Sequence, residues 1–431
     1  MKKHQLLLII NLLLICSFQI SKAQKIWTRC SEGLPADTAV MSLTKISSIL
    51  FAGTEKAGVY KSTDAGNSWK PMPYLSIFKN SQTWAMTTLD TFLFTAQRGG
   101  GIIRTSLNGA EWTVMNNGID GSRRILQDLI SIGNTLYAAS YGGGVLVSTD
   151  TAKTWSVLYN HLGMDDRKVY SLASNSSYLF AGTAGVNTTM PDTGVAFVTP
   201  LNGSSWQTIN NGFIRNGAHF EQVTAMAAND SVVFAGTDDV GIFRSTNNGQ
   251  LWVQSSNTNQ YGDIHAIIIA GKQVFYGTSY GGVYSSNDGI TFTANNNGLS
   301  YGATSLPFLV KDFEVLNDTI YAATTLGVFK QALLPKVLDI QERTSNNEHL
   351  IVRYNPSSRE LNIDMNVLHS GEYLISILNS LGQKIELDRS VFFNSGENHT
   401  QYTMGTLGIG VYFLQIRGSQ GIVFGKFIVG G

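Results

Sequence analysis

The chain has 431 residues, too many for one ordinary hydrophobic core, so it holds either several units or one large closed repeat array. Lys plus Arg equal Asp plus Glu at 30 each, which excludes the long-range field that would favour nucleic acid or an anionic membrane surface. With 44 Gly, 8 Pro and apolar residues that alternate over short stretches, the composition is that of an all-β chain with many tight turns.

In chain order, Lys2 and Lys3 precede an apolar stretch from Leu6 to Cys16 broken by Asn11, and Ser21-Lys22-Ala23 come before Gln24. This is the charged, apolar, small-residue order of a cleavable signal peptide over residues 1–23, cut after Ala23. The apolar run is short for a span of about 20 residues, so no transmembrane segment is expected in the mature chain. Cleavage leaves Cys30 as the single cysteine and excludes an internal disulfide.

From residue 24 to 335 an aliphatic-aromatic pair recurs seven times: Leu50-Phe51, Leu93-Phe94, Leu136-Tyr137, Leu179-Phe180, Val233-Phe234, Val274-Phe275 and Ile320-Tyr321. The steps between aromatics are 43, 43, 43, 54, 41 and 46 residues, a period that means a solenoid or a propeller. In the unit from Val40 to Trp69, short strands are expected at Val40 to Leu43, Ile49 to Gly53 and Gly58 to Lys61, with a fourth beginning at Trp69. Four short antiparallel strands per repeat is one propeller blade, and no helical period is visible. The seventh unit lacks its fourth strand, whereas Lys25-Ile26-Trp27-Thr28 followed by Glu32-Gly33-Leu34 repeats the pattern of Trp112 with Asn117-Gly118-Ile119. The N-terminal strand is therefore expected to complete the seventh blade and hide the open edges.

Between third and fourth strands stands Ser62-Thr63-Asp64-Ala65-Gly66-Asn67-Ser68-Trp69. A carboxylate can accept several N–H groups across a tight turn, Gly takes φ > 0, and Trp packs between blades. Further copies keep Asp150 and Trp155, Asn247 with Gly249 and Trp252, and Asn287 with Gly289; two others, with Gly109 and Gly203, lose the acceptor. The motif resembles the Asp-box, or BNR, repeat of sialidase-like, sortilin-like and photosystem assembly-factor propellers. That resemblance implies a seven-bladed propeller whose boxes are structural and lie on the face away from the binding mouth.

Residues 336–348 form a polar linker, and residues 349–431 carry four alternating apolar runs that read as a small C-terminal β-sandwich. Tyr354-Asn355-Pro356, Gly371 and Tyr373, Gly382, Gly410 and Tyr412, and Lys426 stand in the order of the C-terminal sorting domain of the type IX secretion system. The resemblance implies recognition by that system's translocon, passage through the periplasm, and a secreted or surface-attached product.

The mouth of such a propeller is lined by the loops between second and third strands and by the connections between blades. Candidate binding residues there are Arg98, Arg123, Arg124, Tyr141, Asn187, Asp192, Arg215, His219, Glu221, Asp238, Tyr261 and Tyr280, with the long step from Phe180 to Phe234 enlarging it. Gly277-Thr278-Ser279-Tyr280-Gly281 matches a nucleophile-elbow pattern, but a strand-to-loop corner without a following helix does not build one. No phosphate cradle, metal motif or other cofactor fingerprint is visible. The early Phe/Tyr-Arg-Ile-Pro motif of sialidases is absent too. The sequence favours a non-catalytic propeller that binds a glycan or protein, with a sialidase-like glycoside hydrolase or an assembly scaffold as alternatives.

Overall fold

The computed structural model describes residues 26–333 and 350–429, apart from 37, 74–80, 110, 159–167, 185–194, 202–204, 214, 217–218, 221, 257–261, 300–307, 356–358, 380–381, 405–406, 408–409 and 420. The expected signal peptide and the linker fall outside these residues. The chain divides into two compact units, residues 1–333 and 334–431.

The first unit is a seven-bladed β-propeller made of seven four-stranded antiparallel sheets. The innermost strands are Val40–Ile46, Thr83–Leu89, Leu126–Ile132, Val169–Ser174, Val223–Ala228, Ile264–Ala270 and Val310–Leu316, which number blades one to seven. The aromatic of every repeated pair lies on the second strand of its blade, where Phe51, Phe94, Phe180, Phe234, Phe275 and Tyr321 are at most 1% exposed. The outermost strands are only two or three residues long. Beside these strands large aromatics join the apolar clusters of the preceding blade: Trp69 lies in one cluster with Val328 of blade seven, Trp155 with Phe94 of blade two, and Trp252 with Phe180 of blade four. Blade boundaries, not blade interiors, hold the largest apolar clusters, as stacked repeats require.

The seventh blade closes as the sequence indicated. Thr28 pairs with Lys330 and Arg29 with Phe329, so the N-terminal strand is the outer strand of the last sheet. Trp27 donates from its backbone N–H to Asn297 O and from Nε1 to Asn295 O, both at 2.8 Å. Gly298, at φ 87°, presses on the Trp27 carbonyl so closely that a side-chain carbon would stand 2.1 Å from that oxygen. Only glycine permits this approach.

The segments that resemble Asp-boxes form turns of two lengths. In blade one the Asp64 carboxylate accepts Ser68 N at 2.9 Å, Ser68 Oγ at 2.6 Å and Ser62 Oγ at 2.8 Å. Asp150 repeats this with Thr154 and Ser148, and Asn247 with Leu251 and Ser245. Blade six departs from the sequence reading: the turn is one residue shorter, and the acceptor is Asp288, not Asn287. Asp288 takes the N–H groups of Ile290 and Thr291, while Asn287 accepts from Gln273. Blade two uses the same short form, with Asn108 accepting from Ser106 where the sequence reading had no acceptor.

The second unit holds a three-stranded sheet, Leu350–Asn355, Glu360–Val367 and Gly396–Thr403, and a four-stranded sheet ordered Lys384–Phe393, Gly371–Asn379, Gly410–Gly418 and Gly421–Val429. Strict alternation along Glu360–Val367 buries Leu361, Ile363, Met365 and Val367 against Ile375, Ile377, Leu414 and Ile416 of the other sheet, which is the core of a small β-sandwich.

Candidate functional site

The sevenfold backbone builds the propeller mouth. At the start of every innermost strand the register slips by one residue, between Val40 and Ser42 in blade one and at the equivalent place in the other six. The extra residue at each β-bulge is in turn Met41, Trp84, Gln127, Tyr170, Thr224, His265 and Lys311, and all seven are partly exposed. A bulge leaves one residue unpaired and re-aims its side chain.

Fourteen positions after each bulge residue comes the first residue beyond the second strand: Glu55, Arg98, Tyr141, Ala184, Asp238, Ser279 and Thr325. Its N–H donates to the carbonyl two residues before the bulge, from Glu55 to Ala39, Arg98 to Gln82, Tyr141 to Ile125, and so on to Thr325 and Leu309, at 2.8 to 3.3 Å. Every blade thus clamps an inner and an outer mouth residue to one backbone bond. Side chains on such a frame are positioned by rigid strands while their tips stay free to vary.

The side chains form local groups. Gln82 Oε1 accepts Trp84 Nε1 and Arg98 Nη1, each at 3.0 Å, and the Arg98 guanidinium lies 5.0 Å from the centre of the Trp84 ring. Gln82 Nε2 donates to Glu55 at 3.0 Å. The Tyr141 and Tyr170 rings meet edge to face at 5.8 Å, with Lys168 Nζ 4.8 Å from the Tyr141 ring centre. Burial, then the Tyr141 neighbour, push the Tyr170 hydroxyl up to about 12. His265 Nε2 and Ser279 Oγ are hydrogen-bonded at 2.8 Å, and burial together with Lys311 hold the imidazole down at about 4. Burial and the Asp239 carboxylate raise Asp263, and burial lowers Lys311 against the opposing pull of Asp263.

Below the mouth the innermost strands enclose a channel of about 340 Å³. Asp128 and Asp312 line it, each accepting two backbone N–H groups: Asp128 from Leu129 and Leu172, Asp312 from Phe313 and Leu43. Enclosure by protein pushes these carboxyls up, to about 6 and about 8, against the pull of those donors. Both keep part of their surface exposed. Glu314, raised by burial, pairs with Lys45 at 3.2 Å.

Of the residues named from sequence, Arg98, Tyr141 and Asp238 occupy the outer ring, and Tyr280 follows Ser279 with 76% of its surface exposed. Arg123 and Arg124 lie on a short 3-10 turn entering blade three, where Arg123 pairs with Asp120 at 3.2 Å and Arg124 Nε donates to Ile119 O. Arg215 and His219 belong to a two-residue hairpin between blades four and five, pairing with Phe220 and Asn216 respectively. Asn187, Asp192, Glu221 and Tyr261 lie outside the described residues. The candidates omitted Trp84, Gln127, Tyr170 and Lys311. Their signal in the sequence is the constant fourteen-residue spacing between bulge and clamp.

In the second unit, Gly371 opens its strand, and the Tyr373 ring packs on Phe393 at 5.3 Å while its hydroxyl donates to His369 O at 3.0 Å. Gly382 takes φ 75° in a turn, and Gly410, Tyr412 and Lys426 stand on the paired last two strands.

Residues 354–430 match the secretion system C-terminal sorting domain. No curated protein matches the chain. The fold is similar to that of YCF48 bound to D1 peptide, with a TM-score of 0.54 and 12% identity over 73% of this chain and 98% of that one. YCF48 from Cyanidioschyzon merolae gives 0.53 and 13%, covering 72% and 100%. The extracellular domain of the hybrid two component system BT4673 from B. thetaiotaomicron gives 0.58 and 12%, covering 86% of this chain and 48% of that one. These likenesses establish the fold.

Proposed function

The C-terminal unit is a sorting domain that directs the chain through the type IX secretion system to the cell surface or beyond, and we propose that its cargo is a non-catalytic propeller that binds a protein or glycan at the mouth. The observation that carries this reading is the clamped double ring, in which one constant backbone frame presents different side chains in each blade. The Asp-box turns join third to outer strands, at the end of the blade away from the mouth, and their carboxylates are engaged within the turn; their role is structural. The solved YCF48 complex with a peptide supports a polypeptide partner. An imidazole held near 4 is a poor general base at neutral pH, which speaks against the Ser279 and His265 pair as a nucleophile and its base. The translocon recognises the sorting domain through the sequence motifs around Gly371, Tyr373, Gly382, Gly410, Tyr412 and Lys426, and the domain is removed after export.

The test is binding of the mature chain to peptide and glycan arrays, repeated with Trp84→Ala. Loss of a ligand with an unchanged melting temperature supports the mouth, and unchanged binding refutes it. One observation favours a second reading, glycoside hydrolysis: Asp263 is raised by burial and then by the neighbouring Asp239 carboxylate, as the acid of such enzymes is. Turnover of a polysaccharide that Asp263→Asn abolishes would establish it in place of pure binding.

A further inference from the structure

Among the described side chains, the charges of the mouth are segregated by blade. Arg98 stands in blade two, Arg123 and Arg124 enter blade three, and Lys168 enters blade four. On the other side of the ring Asp238 and Asp239 follow the second strand of blade five, and Asp263 enters blade six. Within the basic arc two acids are engaged locally, Asp120 with Arg123 at 3.2 Å and Glu55 with Gln82 at 3.0 Å and Lys56 at 3.8 Å. Beside the acidic arc, Lys311 of blade seven faces Asp263.

We propose that the mouth recognises a polypeptide segment that is acidic at one end and basic at the other, laid across the channel with its acidic end over blades two to four and its basic end over blades five and six. The inference rests on the binding function proposed above and specifies its ligand. Charge complementarity chooses the polymer: acidic glycans offer one sign of charge, whereas a polypeptide readily carries both. Two of the mouth aromatics already carry cations: Arg98 lies over the Trp84 ring and Lys168 over the Tyr141 ring. These contacts hold the cations in place before a ligand arrives, which lowers the ordering cost of binding. In the acidic arc, Asp263 is raised partly by Asp239, so a cation placed there relieves repulsion already present.

The experiment titrates the full mature chain with synthetic peptides at low and physiological salt. One peptide joins a glutamate block to a lysine block through a Gly-Ser spacer, two carry a single block each, and oligogalacturonate serves as an acidic glycan. The two-block peptide should bind at least about tenfold more tightly than either single block, and salt should weaken it. Arg98→Glu should weaken the glutamate-only peptide and spare the lysine-only peptide, and Asp239→Lys should do the reverse; circular dichroism checks that both variants are folded. Equal binding of single-block and two-block peptides, or tight oligogalacturonate binding indifferent to Asp239→Lys, would overturn the polarised polypeptide while leaving a binding mouth. If neither peptides nor glycans respond to Trp84→Ala, the mouth itself is the wrong site.

Discussion

Asp312 of the seventh blade accepts the main-chain N–H of Leu43 in the first at 2.8 Å, a bond that spans the seam where the ring closes. Asp128 does the same between blades three and four, whereas the equivalent positions in the other blades hold Ser42, Ala85, Ser171, Ala225 and Ala266. Enclosure raises Asp312 to about 8, well above the carboxyl of an unfolded chain at about 4. The folded state therefore holds this proton more tightly, and the stability it confers is full below about pH 4 and lost as pH rises through about 8. Urea unfolding should show stability falling between about pH 4 and about pH 8, and Asp312→Asn should flatten that slope. An unchanged slope would show that Asp312 does not titrate in this window.

The Asp64 turn gives the opposite sign. Hydrogen bonds from Ser68 and Ser62 hold its carboxyl down at about 2, so its stabilisation is present above about pH 4 and lost as pH falls through about 2. Asn247 shows that an amide can close the same turn in blade five. Asp64→Asn should melt below the wild type at pH 7 and converge with it near about pH 2, while Asp64→Ala, which has no acceptor, should melt lower at both. Thermal melts of the three proteins decide this, and Asp64→Ala should leave ligand affinity at the mouth unchanged.

Thr151 is held at φ 62° in the third box, where blade one has Ala65 and blade five has Asn248 at the corresponding left-handed position. A β-branched side chain is strained there, and asparagine tolerates the conformation. Thr151→Asn should raise stability by about 1 kcal/mol, measured by urea unfolding, because the backbone carbonyl that accepts Arg104 is untouched. A loss of stability would mean that the Thr151 side chain contributes more than its backbone strain removes.

The blades were legible in the sequence because their signal is repeated burial: Phe51, Phe94 and their equivalents must fill the same gap in every blade. Blade closure was legible for the same reason, since Trp27 followed by Glu32-Gly33-Leu34 repeats an outer strand and its exit. The mouth was harder to read. A bulge places neighbouring residues such as Met41 and Ser42 opposite one partner, so alternation fails by one position, and without the partner strand the slip looks like ordinary irregularity. Trp84 and Tyr170 stand on apolar strands, and the bulge turns both into the partly exposed inner ring. The blade-six box was misread by one residue because Asn287 stands where the spacing of Asp64 puts the acid; the shorter turn moves that role to Asp288.

Ring closure depends on a very short strand. Thr28 and Arg29, both exposed, are its only two residues in the ladder of the last blade, and beyond them Cys30 N–H bonds Val328 O at 2.8 Å. Two residues of edge ladder cannot by themselves hold a seam against the entropy of a free chain end. The anchor is Trp27, 2% exposed, in one apolar cluster with Phe275 and Val283 of blade six and Ile320 of blade seven, with its indole N–H bonded to Asn295 O. Trp27→Ala should therefore cost about 3–5 kcal/mol, the range for emptying a buried aromatic site. Ile26→Ala, at a residue 49% exposed, should cost less than about 0.5 kcal/mol. Urea unfolding of the two variants compares one buried and one exposed side chain on the same segment. Equal effects would mean that the closure rests on the backbone ladder and not on the indole.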